Sequence, residues 1–158
     1  MNLTKSFRIT QEESRPLKEI VPKGGISYLK KCSEIKDDDV LNFSQLKHTH
    51  EEIVSRVLSR IYPNPDIIEA GVFAFGNVGL HVDSIYSEKY VTAVIPVAGY
   101  GSLYVTDGKV IKEERIGRSK LGTRDTIAVI FDDRKPHCYM GEGLMLAIIC
   151  GVRRELLN

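Results

Sequence analysis

His81 and Asp83 form an H-x-D pair at the end of the strand-like stretch FAFGNVGLHVDSIY, and His137 follows much later in IAVIFDDRKPHCYM. Residues i and i+2 of a strand point to one face, so this imidazole and carboxylate can converge on one point. Two histidines and one carboxylate make the facial triad that holds Fe(II) with open positions for oxygen and a co-substrate. Three protein ligands leave room for chemistry, whereas a structural metal site is closed. H-x-D alone is a weak signal, because a surface histidine beside a turn carboxylate spells the same letters. The elements around it must supply the rest.

The pattern changes near residue 65. Before it the chain is charge-rich and mixed, with a loop around Lys23-Gly24-Gly25 and an acidic turn or helix start at Asp37-Asp38-Asp39. In THEEIVSRVLSRIYP, Thr49 and Glu52 have capping-box spacing. Ile53, Val54, Val57, Leu58 and Ile61 then repeat at helical spacing until Pro63. After Pro65 the runs IIEAGVFAF, YVTAVIPVA, SLYVTDGKVIKEE, DTIAVIF and LMLAIICGV read as short strands. Asp107-Gly108 predicts a type I′ hairpin, with φ > 0 at both central positions. No helical pattern separates these runs, so βαβ units are not expected. The expectation is a mainly β (α+β) fold: a jelly roll of about eight antiparallel strands, with N-terminal helices packed outside. It is read as one domain over 1–158, with 1–65 as cover and 66–154 as core.

The other chemistry-bearing residues have plainer readings. His48-x-His50 precedes the expected helix in a polar loop and reads as exposed. Asp132 and Asp133 read as a turn, from which either could hydrogen-bond a ligating imidazole. Tyr86, Tyr90, Tyr100 and Tyr104 read mostly as packing aromatics, with one hydroxyl free to reach a bound carboxylate. Gly76 and Gly79 suggest a tight bend that brings backbone close to the site. Cys32, Cys138 and Cys150 are odd in number and form no C-x-x-C, so neither a disulfide framework nor a thiolate zinc site is suggested. Cys150, within LMLAIIC, reads as a buried small hydrophobe, and Cys138 as a packed strand thiol. No phosphate-loop, nucleophile-elbow or dinucleotide motif is present.

Composition bounds the partners. Lys plus Arg (22) nearly cancels Asp plus Glu (21) over 158 residues, so there is no strong electrostatic signature for nucleic acid. No apolar run nears the roughly 20 residues of a membrane span, and the N-terminus lacks a secretory h-region. A cytoplasmic protein without a membrane partner is expected.

From about residue 67 to 153 the chain resembles the non-haem Fe(II), 2-oxoglutarate-dependent oxygenases, whose fold is a double-stranded β-helix. The resemblance rests on His81-Val82-Asp83, then YVTAVIPV, then Gly99-Tyr100-Gly101-Ser102-Leu103, then IAVIFDD, then Pro136-His137. It implies that His81, Asp83 and His137 hold Fe(II), and that 2-oxoglutarate and dioxygen are co-substrates. It further implies hydroxylation or oxidative demethylation of a small molecule, protein side chain or nucleobase.

One departure concerns the cation that pairs with the distal carboxylate of 2-oxoglutarate in that family. The matching stretch here is Gly143-Leu144-Met145-Leu146, without a cation. Arg153 shares strand parity with Met145 and is the candidate anchor, although a solvated, charged C-terminal end is the simpler reading of Arg153 and Arg154. Arg118, Arg124 and Lys89 are other possible donors. Two further readings stay open. One is a catalytically degenerate β-helix domain that binds a ligand or protein. The other is a cupin-like metal enzyme, in which Glu88 would join His81 and Asp83, although that pattern's following glycine and its P-x-G are missing.

Overall fold

The computed structural model describes residues 2–21, 35–118 and 125–158. The loop expected around Lys23-Gly24-Gly25, Cys32 and Arg124 lie outside the described residues. The elements run β1 (Thr4–Ile9), α1 (Gln11–Ile20), β2 (Val40–Gln45), α2 (His48–Ser59), β3 (Ile68–Phe75), β4 (Val78–His81) and β5 (Tyr90–Ala98). They continue with β6 (Tyr100–Thr106), β7 (Ile111–Gly117), β8 (Thr126–Phe131), β9 (His137–Gly141) and β10 (Met145–Arg153), and a 3-10 turn (Arg154–Leu157) closes the chain.

All strand pairs are antiparallel, and the sheet curls in the order β2-β3-β10-β5-β8-β7-β6-β9-β4, with β1 added against β8. Two-residue alternation explains why it curls around a core. On β10, Met145, Ala147 and Ile149 face an inner cluster with Phe75, Val94, Leu103, Ile116 and Phe131. Ile148, Cys150 and Val152, one residue out of phase, face an outer cluster with Leu17, Ile20, Val54 and Leu58 of the two helices. Each of the larger aliphatic and aromatic side chains contributes about 1.5–3 kcal/mol on burial, so strands that are apolar on both faces need cover on both. The helices do lie outside, as expected. The N-terminal half also contributes two strands that its mixed pattern did not reveal.

Two local expectations are corrected. Lys47, not Thr49, is the N-cap of α2, without a side-chain cap, and Glu51 N–H closes the first turn on the Lys47 carbonyl (3.0 Å). Thr49 therefore lies inside the helix, and His48 and His50 lie in its first turn rather than before it. The capping box sits instead on α1. There Thr10 Oγ1 accepts from Glu13 N–H (3.2 Å), and Glu13 Oε1 accepts from Thr10 N–H (3.0 Å). The Asp107-Gly108 hairpin is present with a four-residue loop, since Thr106 pairs with Ile111. Only Gly108 is left-handed (φ 92°), because Asp107 Oδ1 accepts from Val110 N–H (3.0 Å) and Lys109 N–H (2.9 Å), which folds the longer turn.

Candidate metal centre

His81 ends β4 and His137 begins β9, and the two are direct cross-strand partners with ring centroids 4.2 Å apart. β4 is an edge strand tied down by two side-chain bonds. Asp38 Oδ1 accepts from Gly79 N–H (2.6 Å), and Asn77 Oδ1 accepts from Gly141 N–H on β9 (2.9 Å). Asp83 lies just past the strand, where its N–H donates to the Asp133 carbonyl (2.8 Å). That bond, rather than strand parity alone, turns its carboxylate back to the histidines.

Both rings are oriented by backbone. His81 Nδ1 lies 2.6 Å from the Gly79 carbonyl, and His137 Nδ1 lies 2.7 Å from the Lys135 carbonyl. A carbonyl only accepts, so each Nδ1 carries a hydrogen, and in the neutral ring each Nε2 presents its lone pair. The two Nε2 atoms stand 3.2 and 3.3 Å from the same oxygen, Asp83 Oδ2. Ligand atoms of all three residues lie within 4.8 Å of one another. Burial pushes the His137 imidazolium pKa down, and His81 adds to this, against the Lys135 carbonyl and Asp83. Two Nε2 lone pairs and a carboxylate aimed at one point repel each other unless a metal ion or a proton lies between them. The donor set suits a divalent transition metal with positions left open.

A cavity of about 1070 Å³ opens at this triad and runs into the barrel. Its walls are Phe73, Phe75, Val94, Leu103, Ile116, Phe131 and Ile149. Asp38, Glu69 and Asp83 also line it, and no Lys or Arg does among the described residues. Glu69 has φ 49°, beside the register shift of β10 against β3, an uncommon conformation for a residue with a side chain. Asp133 is buried, and burial, then the charges of Asp83 and Asp132, push its carboxyl up to about 6.

The triad residues are thus together, and the other candidates are elsewhere. Arg153 ends β10 on the expected parity but outside the cavity, pairing with Glu155 (3.4 Å) and stacking 6.0 Å above the Tyr62 ring. Arg118 and Lys89 do not line the cavity either. Glu88 is exposed beside Arg134 (3.8 Å), away from the triad. Backbone carbonyls, not Asp132 or Asp133, orient the imidazoles. Asp132 acts one step back, accepting from Arg134 N–H (3.2 Å) in the turn that presents His137. Of the four tyrosines singled out, Tyr86 alone lines the cavity. Tyr90, Tyr100 and Tyr104 bond to Asp66, Arg115 and Glu113. Tyr139 was not among them, although it shares His137's strand parity. Its hydroxyl is buried without a partner. Cys150 is buried in the outer cluster, and burial raises its thiol pKa to about 12.

No protein-family model matches the chain, and no curated protein matches its sequence. Solved structures do. A prolyl hydroxylase from Trichoplax adhaerens, in complex with a hypoxia inducible factor oxygen degradation domain peptide fragment, is similar at TM-score 0.56 and 13% identity, over 98% of this chain and 85% of that one. A Pseudomonas putida prolyl-4-hydroxylase matches at TM-score 0.49 and 11% identity, over 98% and 94%. The chain shares the prolyl hydroxylase fold. Its curled antiparallel sheet is the double-stranded β-helix, and the His-Asp-His set lies at the mouth of that barrel. Among the described residues, no helix is long and apolar enough to cross a membrane.

Proposed function

We propose that this protein is a non-haem Fe(II) oxygenase that uses a 2-oxo acid and dioxygen to hydroxylate, or oxidatively demethylate, an organic substrate. The observation that carries the reading is the convergence of two imidazole Nε2 atoms on the Asp83 carboxylate at the mouth of an apolar barrel. His81, Asp83 and His137 would hold the iron, which supplies the oxidising chemistry when bound. The Gly79 and Lys135 carbonyls keep both imidazoles in the ligating tautomer. The phenylalanine and aliphatic walls exclude water from the reacting space. Substrate would approach over Leu80 and Ile85, which are exposed and line the mouth. In the net reaction one oxygen atom enters a substrate C–H bond. The other enters the carboxylate left when the 2-oxo acid loses carbon dioxide.

2-Oxoglutarate itself fits less well than the metal does, because its distal carboxylate meets no cation among the described cavity residues. The same feature favours a second reading, a binding domain on this scaffold that has lost catalysis. Anaerobic titration with Fe(II) separates the two. The oxygenase reading expects one Fe(II) per chain, lost in His81→Ala, Asp83→Ala and His137→Ala. It also expects oxygen uptake that depends on an oxo acid. Metal binding that survives loss of both histidines refutes the assignment, and stoichiometric metal without oxo-acid-dependent uptake favours the binding domain.

A further inference from the structure

We infer that the inner end of the cavity receives an uncharged tail, so that the 2-oxo acid serving the metal centre has a neutral rather than an anionic far end. The inference rests on the proposed metal centre and adds the chemical class of its co-substrate. Tyr139 carries it. It sits two residues beyond His137 on β9 and faces the same interior, roughly 7 Å further along the strand. Its ring lies over Gly101 and Gly141, which pair with each other across β6 and β9. A Cβ on Gly101 would stand 2.4 Å from the Tyr139 hydroxyl oxygen, and one on Gly141 would stand 2.8 Å from it. Two glycines thus make a niche for a hydroxyl that is 4% exposed as part of Tyr139 and has no hydrogen-bond partner. Thr92, 6% exposed, lines the same cavity, but its hydroxyl faces the Asp133 carboxyl, so Tyr139 alone carries the argument.

A buried donor without a partner is a place prepared for an acceptor. Here the donor is neutral, and the walls beside Tyr139 are Leu103, Ile116 and Phe75. A carboxylate drawn into such a space keeps its charge and forfeits its hydration, and no described cavity residue supplies a compensating cation. An ester, amide or alkyl end loses none of this. It fills the apolar wall, and its carbonyl, where present, accepts from Tyr139.

The test uses the full chain loaded with Zn(II), or anaerobically with Fe(II), and compares 2-oxoglutarate, its 5-methyl ester and 2-oxopentanoate. Binding is read by thermal shift and by tyrosine fluorescence, which no tryptophan obscures. Both neutral-tailed acids should bind more tightly than 2-oxoglutarate, by about tenfold or more. Tyr139→Phe should weaken the ester by about threefold to tenfold and leave 2-oxopentanoate nearly unchanged. Equal or tighter binding of 2-oxoglutarate overturns the inference while leaving the metal centre standing. So does failure of all three acids to bind the metal-loaded protein. A chain that takes up no metal removes the proposed function, and this inference with it.

Discussion

Replacing Arg154 with alanine should cost the metal-free protein about 2–3 kcal/mol, because the guanidinium closes the protein over a nearly buried carboxylate. Arg154 Nη1 donates to Asp132 Oδ2 at 2.8 Å, with side-chain exposures of 22% and 10%, and its Nε donates to the Glu88 carbonyl at 2.6 Å. Breaking a fully buried pair costs about 3–5 kcal/mol and an exposed one about 0–1, so a mostly buried pair falls between. At this chain length that is roughly 5–10 °C of melting temperature, read by circular dichroism in EDTA. Burial opposes ionisation of Asp132, but Arg154 and the Arg134 N–H outweigh it and hold its carboxyl below the usual 3.8. A lowered carboxyl contributes stability that is present above its unfolded pKa and disappears as pH falls through the folded one. The penalty should therefore be constant from pH 7 to about 5 and shrink below about 4. Asp132 also anchors the turn whose Lys135 carbonyl orients His137, so metal affinity should fall by up to about tenfold. A loss under about 2 °C at pH 7, or one equally large at pH 3, would refute this account.

Two glycines should respond differently to alanine. At Gly101 the new Cβ meets the Tyr139 hydroxyl at 2.4 Å and Gly141 Cα at 2.7 Å, so urea unfolding should show a loss of about 1–3 kcal/mol, with Tyr139 displaced. At Gly108 nothing lies within 4 Å, and the φ of +92° alone should cost about 1 kcal/mol. Thr10→Ala removes half of a capping box and should cost about 1 kcal/mol in the same assay. Glu13→Ala should cost more than Thr10→Ala, since Glu13 also accepts from Arg60 at 2.9 Å and ties α1 to the end of α2.

Much of the architecture is legible in local patterns. Two-residue alternation and turn residues mark β3, β5, the β6–β7 pair, β8 and β10, because a strand buried on one or both faces must write that burial into successive residues. The helix within THEEIVSRVLSRIYP is legible for the same reason at a different period, although its start is not, since backbone closure on the Lys47 carbonyl prevails over the side-chain cap that Thr49 and Glu52 spell. β1 and β2 are not legible. They add to strands already in place, and Val40 and Leu41 are exposed enough to carry no burial signature.

His81, Asp83 and His137 could be singled out as a candidate set by residue type and order, since metal chemistry restricts which side chains serve, and the fold brings them together. Their common focus is a tertiary matter: the β4–β9 register, the Asp83–Asp133 backbone bond and two carbonyls at fixed distances. The same holds for what the site will accept. Arg153 has the right parity but lies beyond the cavity's end, whereas Tyr139 gains its place only because Gly101 and Gly141 meet beneath it. Sequence period reports which face a residue takes along its own strand. How far along the barrel it sits, and against what, depends on registers and close approaches between distant segments, which only the folded chain decides.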